Sequence, residues 1–233
     1  MNIKNKRMLA CLLCGICGCL CYGIGDWLMM YGETSHQGKL FWLTEGVANI
    51  PAWRNNVAMI LAFPGIIFYG IALFCLESLI KPEKTRKIYH YLNVFGLTPW
   101  MCLHIFYIMI LYLYAWMTNN GYSEAALPAC EALFQHLSWV VAVSEIMMVP
   151  VFIFWFYAVV SGKTFLPKKA AFFNVLVFYV VLKALTVLLP NTAFRSGFTN
   201  GLMSESMVLF FVVIWLFFKK NRKFQGKNSS VKH

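Results

Sequence analysis

The chain has 233 residues, of which 60% are hydrophobic and only 12% charged. Soluble domains carry roughly 45–50% apolar and about 25% charged residues, so this chain has too little polar surface to coat a water-soluble globule. That excludes an ordinary cytosolic enzyme, a disordered chain and a small secreted disulfide scaffold. The formal charge of +11 raises a nucleic-acid reading, which the placement of that charge removes.

Six apolar blocks of bilayer-crossing length follow one another: 8–30, 57–80, 94–117, 133–160, 170–189 and 201–218. They are apolar all round, whereas barrel strands alternate over about 10 residues. The expected fold is therefore an all-α polytopic bundle of six transmembrane helices, a single domain over residues 1–218. The basic residues fall into alternate connections. Lys4, Lys6 and Arg7 precede the first block, and Lys81, Lys84, Arg86 and Lys87 follow the second. Lys163, Lys168 and Lys169 follow the fourth, and Lys219, Lys220, Arg222, Lys223, Lys227 and Lys232 end the chain. That is 16 of the 20 lysines and arginines. Flanking cations stay cytoplasmic during insertion, so the pattern predicts both termini inside and a plasma-membrane location. The surplus charge is an orientation label, with no nucleic acid as partner. Residues 219–233 are expected to form a disordered basic cytoplasmic tail.

The first block holds Cys11, Cys14, Cys17, Cys19 and Cys21, interleaved with Gly15, Gly18, Gly23 and Gly25. Cys11, Gly15, Cys19 and Gly23 form one ridge at spacing four, and Ala10, Cys14 and Gly18 another. Small residues so spaced let membrane helices approach closely. Packing explains them better than a metal or redox site, because Cys75, Cys102 and Cys130 are scattered. No metal site is expected.

Among the connections, Leu40 to Ile50 reads as a short interfacial helix broken by Pro51, within a loop carrying Glu33, His36, Trp42, Glu45 and Trp53. Lys81 to Asn93 reads as a basic hairpin loop, and Asn119-Asn120-Gly121 as a turn. Gly162-Lys163-Thr164 lacks the preceding glycine of a phosphate loop. No internal repeat is visible, and the common membrane hydrolase motifs are absent.

A charge at the bilayer centre costs about 2.5–3.5 kcal/mol on insertion scales, so each one is a functional candidate. Asp26, His104, Glu145, Lys183 and Glu205 lie within or near the ends of blocks, and Arg54 opens the second. Most fall in the outer half, which predicts a polar cavity open to the outside and lined by these six residues. Glu131, Gln135, Ser138, Ala142 and Glu145 share one helical face, as do Tyr179, Lys183 and Thr186, and such faces should point into the bundle. A structural Glu145–Lys183 ion pair is the plain alternative. Paired-histidine haem is disfavoured by depth, since His104 lies about 15 Å and His136 about 25 Å from the inner edge. Only a single-histidine haem stays open, and no cofactor is expected.

Gly25-Asp26, Trp53-Arg54-Asn55-Asn56, Phe68-Tyr69-Gly70, His104, Gly162-Lys163-Thr164 with Pro167, and Asn200-Gly201 together resemble a family of small uncharacterised multi-pass membrane proteins of bacteria. The resemblance covers most of the chain. It implies a bacterial plasma membrane and supplies no activity. The leading functional expectation is binding of a small molecule or lipid headgroup in the outward cavity. The alternatives are a proton- or cation-coupled small-solute transporter, a membrane enzyme using His104 with an acidic partner, and an accessory protein acting through partners. Self-association stays open.

Overall fold

The computed structural model describes residues 3–32, 40, 43 and 45–220. Among them the secondary structure is helical, apart from one isolated bridge between Ile80 and Thr164. The helices are α1 (Ile3–Met30), α2 (Glu45–Ala48), α3 (Ala52–Leu76), α4 (Glu83–Asn119), α5 (Ser123–Val160), α6 (Val175–Thr186) and α7 (Ala193–Lys220). Five of them, α1, α3, α4, α5 and α7, are long and apolar enough to cross a membrane. The chain is thus an all-helical protein with the character of a multi-pass membrane protein.

The fifth apolar block differs from expectation. It forms a 3-10 segment, Lys168–Phe172, followed by the 12-residue α6, which is about 18 Å long by rise per residue against a core of about 30 Å. Asn174 is the cause of the late start. Its side chain accepts from Leu176 N at 2.9 Å as an N-cap and donates to Phe152 O on α5 at 3.0 Å, so regular helix begins only beyond it.

The expected basic hairpin at 81–93 is also different. Pro82 precedes the first turn of α4, whose Glu83 pairs with Lys87 at 2.9 Å, and the helix runs straight on through the apolar block. The connection shrinks to the residues around Ile80. Asn119-Asn120-Gly121 does form a turn, with Gly121 at φ 87°, where glycine is favoured. The interfacial helix shortens to the four residues of α2. Residues 33–39, 41, 42 and 44 and the tail beyond residue 220 lie outside the described residues, and with them Glu33, His36, Trp42 and the tail expected to be disordered.

Chain direction follows from side-chain neighbours. Cys75 on α3 meets Met8 on α1 at 3.6 Å between sulfurs. At the other end Arg54 reaches Tyr31, so the two helices are antiparallel. α7 also runs opposite to α1, because a Cβ at Gly197 would touch Trp27 and one at Gly15 would touch Phe211. Lys81 N donates to Lys163 O at 2.8 Å and Phe165 N to Leu79 O at 2.9 Å. Both basic connections therefore sit at the end where α1 begins and α7 finishes. This is the basic end below.

The helices pack in the order α5–α4–α3–α1–α7–α6. At the basic end the row closes on itself, with Trp155 of α5 against Phe210 of α7 at 6.2 Å between rings. One buried cluster fills that half, including Leu12, Tyr69, Trp155, Phe210 and Phe211. A second joins Met29, Met30, Leu40, Leu43 and Val47 to Phe106, Leu111, Tyr114 and Cys130 at the opposite end. All eight cysteines are free, and the small ridges of α1 serve packing. A Cβ at Gly18 would lie 2.6 Å from Tyr69 N and 2.7 Å from Gly65 O on α3, while Gly23 faces Ser204 on α7.

Candidate functional site

Away from the basic end, α1 carries two polar contacts on consecutive residues. Asp26 Oδ2 accepts from Ser204 Oγ at 2.7 Å, and Trp27 Nε1 donates to Glu205 Oε1 at 2.8 Å. Two adjacent residues of α1 are thus joined to two adjacent residues of α7. Because neighbours on a helix point about 100° apart, the two contacts serve different surroundings.

Asp26 faces α4. Its Oδ1 lies 3.6 Å from His104 Nδ1, and His104 Nε2 lies 3.3 Å from Ala58 O on α3. Gly25 makes room, since a Cβ there would already stand 3.4 Å from His104 Nε2. His104 is buried and edge-on to Tyr22, at 5.2 Å between rings. A carbonyl only accepts, so the Ala58 contact assigns the imidazole hydrogen to Nε2. A bare Nδ1 lone pair would then oppose a carboxylate, and the arrangement is attractive only with one further proton between the two groups. Asp26, His104 and Ser204 therefore form a polar cluster, buried at His104 and half-buried at Asp26, whose geometry suits a shared proton. Ser204 donates to Asp26 rather than to His104, so this is not the order of a serine nucleophile with its base.

Trp27 faces the other way, into a cavity of about 700 Å³ beside α1. Its wall is apolar, from Leu20, Ile24, Leu28 and Val208. Arg54, Glu205, Trp27, Trp53 and Tyr31 also line it. Arg54 sits in the first turn of α3 and donates from Nη2 to Tyr31 O at 2.9 Å and Trp27 O at 3.3 Å. Both carbonyls lie at the end of α1, the negative end of its dipole, and Trp27 O also accepts from Tyr31 N at 2.8 Å. Gly201 lets α7 come close, because a Cβ there would meet Trp27 Nε1 at 3.0 Å.

The six sequence-selected residues are therefore divided. Asp26 and His104 meet behind α1, whereas Arg54 and Glu205 line the cavity in front of it. Glu145 and Lys183 join neither group. Both are exposed, no ion pair joins them among the described residues, and Glu145 lies within electrostatic reach of Tyr107 on α4. The α5 face bearing Gln135, Ser138, Ala142 and Glu145 turns outward, not into the bundle. The reason is that α4 takes the other side of α5, where Ser144 Oγ lies 3.4 Å from Pro99 O and Met148 and Val151 are buried.

Sequence reasoning missed Trp27 and Ser204, whose only signal was adjacency to Asp26 and Glu205. It also missed a polar knot at the basic end, where Glu77 binds His90 Nδ1 and Asn93 Nδ2, each at 3.1 Å. Glu77 lies inside the second apolar block, so its signal is the same as that of the other acids within apolar blocks. Among the described residues no three His, Cys, Asp or Glu side chains converge as a metal would need.

The model of one family matches residues 1–221. The chain belongs to a family of unknown function (DUF6796). Membership spans all seven helices, so both polar sites lie within the family's extent. No curated protein and no solved structure matches the chain.

Proposed function

We propose that this family member is a six-crossing protein of the bacterial plasma membrane, with both termini cytoplasmic, that binds an amphiphile in the cavity beside α1. The observation that carries the binding reading is the cavity's make-up: an apolar trough of acyl-chain character capped by the Arg54 guanidinium and three aromatic rings. Arginine offers five donors in a planar fork suited to phosphate or carboxylate, and Trp and Tyr favour the headgroup level. A lipid with an anionic headgroup has this polarity. Ile24 lines the trough and is otherwise exposed, so Ile24→Trp should fill it without disturbing the core. Native mass spectrometry of the full chain in mild detergent should show a retained lipid on the wild type, lost in Ile24→Trp and about tenfold weaker for anionic lipid in Arg54→Gln. Equal retention in wild type and Ile24→Trp would refute the reading.

Six crossings are supported by the common end of α1's start and α7's finish, which requires an even number. The 3-10 segment, α6 and the residues up to Pro190 together supply the sixth. The cation excess at that end supports a cytoplasmic placement. A reporter fused after Lys220 should be active in the cytoplasm, and so should one fused at the N-terminus. Reporters active on opposite sides would mean an odd number of crossings, and both periplasmic would overturn the orientation.

A second reading, proton- or cation-coupled transport of a small solute, is favoured by the Asp26–His104 site, since intramembrane acid–histidine sets recur in relays. The two sites share the α1–α7 contact through consecutive residues, which offers a mechanical link between them. The enzyme reading has less support, because His104 and its acidic partner do not line the cavity.

A further inference from the structure

Glu145 and Lys183 are exposed charges well inside apolar helices. Glu145 has Tyr107 of α4 within electrostatic reach, neither forms an ion pair among the described residues, and hydrocarbon offers no counter-charge. Their heights can be compared. The Asn174–Phe152 hydrogen bond, at 3.0 Å, sets a common level for α5 and α6. From Phe152 back to Glu145 along α5 is roughly 10 Å, and from Asn174 on to Lys183 along α6 roughly 13 Å. Both run away from the basic end, so the carboxylate and the ammonium stand at nearly the same depth.

They also stand on the two open edges of the molecule. Among the described residues α5 packs chiefly along α4 and α6 chiefly along α7, with little contact between α5 and α6. The α5 edge presents Gln135, Ser138, Ala142 and Glu145, and the α6 edge Lys183 and Ala184, all exposed. Ser138, Ala142 and Ala184 are small enough for close helix approach.

We propose that Glu145 of one copy pairs with Lys183 of the next within the bilayer, so that the chain assembles head to tail through its α5 and α6 edges. Copies in one membrane with one orientation are related by rotation about the membrane normal, which preserves depth. Glu145 and Lys183 of neighbours are therefore level in any such assembly. A two-fold contact through the α5 edge would instead set Glu145 against Glu145. The unlike edges make the contact heterologous, which closes into a ring when the rotation permits.

The test is the oligomeric state of the full chain in nanodiscs or mild detergent, read by native mass spectrometry. The wild type should be oligomeric. Glu145→Lys and Lys183→Glu should each raise the dissociation constant at least about tenfold and yield monomer. The double variant carrying both reversals should assemble again, which also shows that the single variants failed in pairing rather than in folding. A monomeric wild type, single variants that stay assembled, or a double variant that stays monomeric would each overturn the proposal. So would a restored pair confined to one chain, seen as a folded monomer of the double variant.

Discussion

Gly18→Val should sharply lower both the amount of folded protein in the membrane fraction and the melting temperature of what remains. A Cβ at this position would sit 2.6 Å from Tyr69 N and 2.7 Å from Gly65 O. Both are backbone atoms of α3, and neither can swing aside as a side-chain tip does. The only relief is to move α1 and α3 apart. That opens the neighbouring contact of Gly15 with Ala72, where a Cβ would stand at 2.6 Å, and loosens the packing of Tyr22 over Gly65. Overpacking typically costs about 1–3 kcal/mol even where side chains can adjust, and a rigid backbone clash lies at or beyond the top of that range. Native stability is only about 5–15 kcal/mol, so folded yield should fall sharply. Gly23→Ala is the matched control. Its Cβ would meet Ser204 Cβ at 3.6 Å, an ordinary contact, and accumulation should be close to wild type. Thermal melts of detergent-extracted protein decide: equal melting of Gly18→Val and Gly23→Ala would refute the close α1–α3 approach.

The small ridges of α1 were legible because close helix contact leaves a periodic mark in composition. The apolar blocks were legible for a similar reason, since hydrocarbon selects side chains directly. Helix ends were not. Hydropathy reports where the solvent changes, whereas backbone hydrogen bonding continues past that border, as α4 does from Glu83 through its Glu83–Lys87 pair into the bilayer. Asn174 interrupts an otherwise apolar stretch by bonding both Leu176 and Phe152, and nothing in the local sequence names Phe152 as the second partner. Spacing placed Gln135, Ser138, Ala142 and Glu145 on one face but could not say which way that face turns. That depends on α4, which packs on the opposite side. Likewise, Asp26 and Glu205 stood out as charges in apolar surroundings, while their partners Ser204 and Trp27, each distant in sequence, are ordinary residues until α1 and α7 meet.

Asp26→Ala should destabilise the fold by about 3–5 kcal/mol, the usual cost of leaving one member of a buried pair behind. It leaves His104 Nδ1 without its neighbour, and it also frees Ser204 Oγ from its 2.7 Å contact. Ser204→Ala should cost less, about 1.5–3 kcal/mol for one hydrogen bond to a charged group, because Asp26 keeps His104. The informative variant removes both ionisable groups. Asp26→Leu with His104→Leu replaces the pair by apolar volume, and such exchanges are often neutral or stabilising. The double variant should therefore be markedly more stable than Asp26→Ala, with a coupling energy of about 0.5–3 kcal/mol in a double-mutant cycle on the two leucine singles. Additive effects would show that Asp26 and His104 do not interact, and the shared proton would fall with them. If the double variant folds as well as wild type, packing does not require the pair. The pair lies one residue away from the Trp27–Glu205 bond that borders the cavity, so a role at the cavity is then the alternative to packing. Lipid retention measured in the stable double variant separates these cases, because an altered lipid preference with an intact fold ties the buried proton to the cavity.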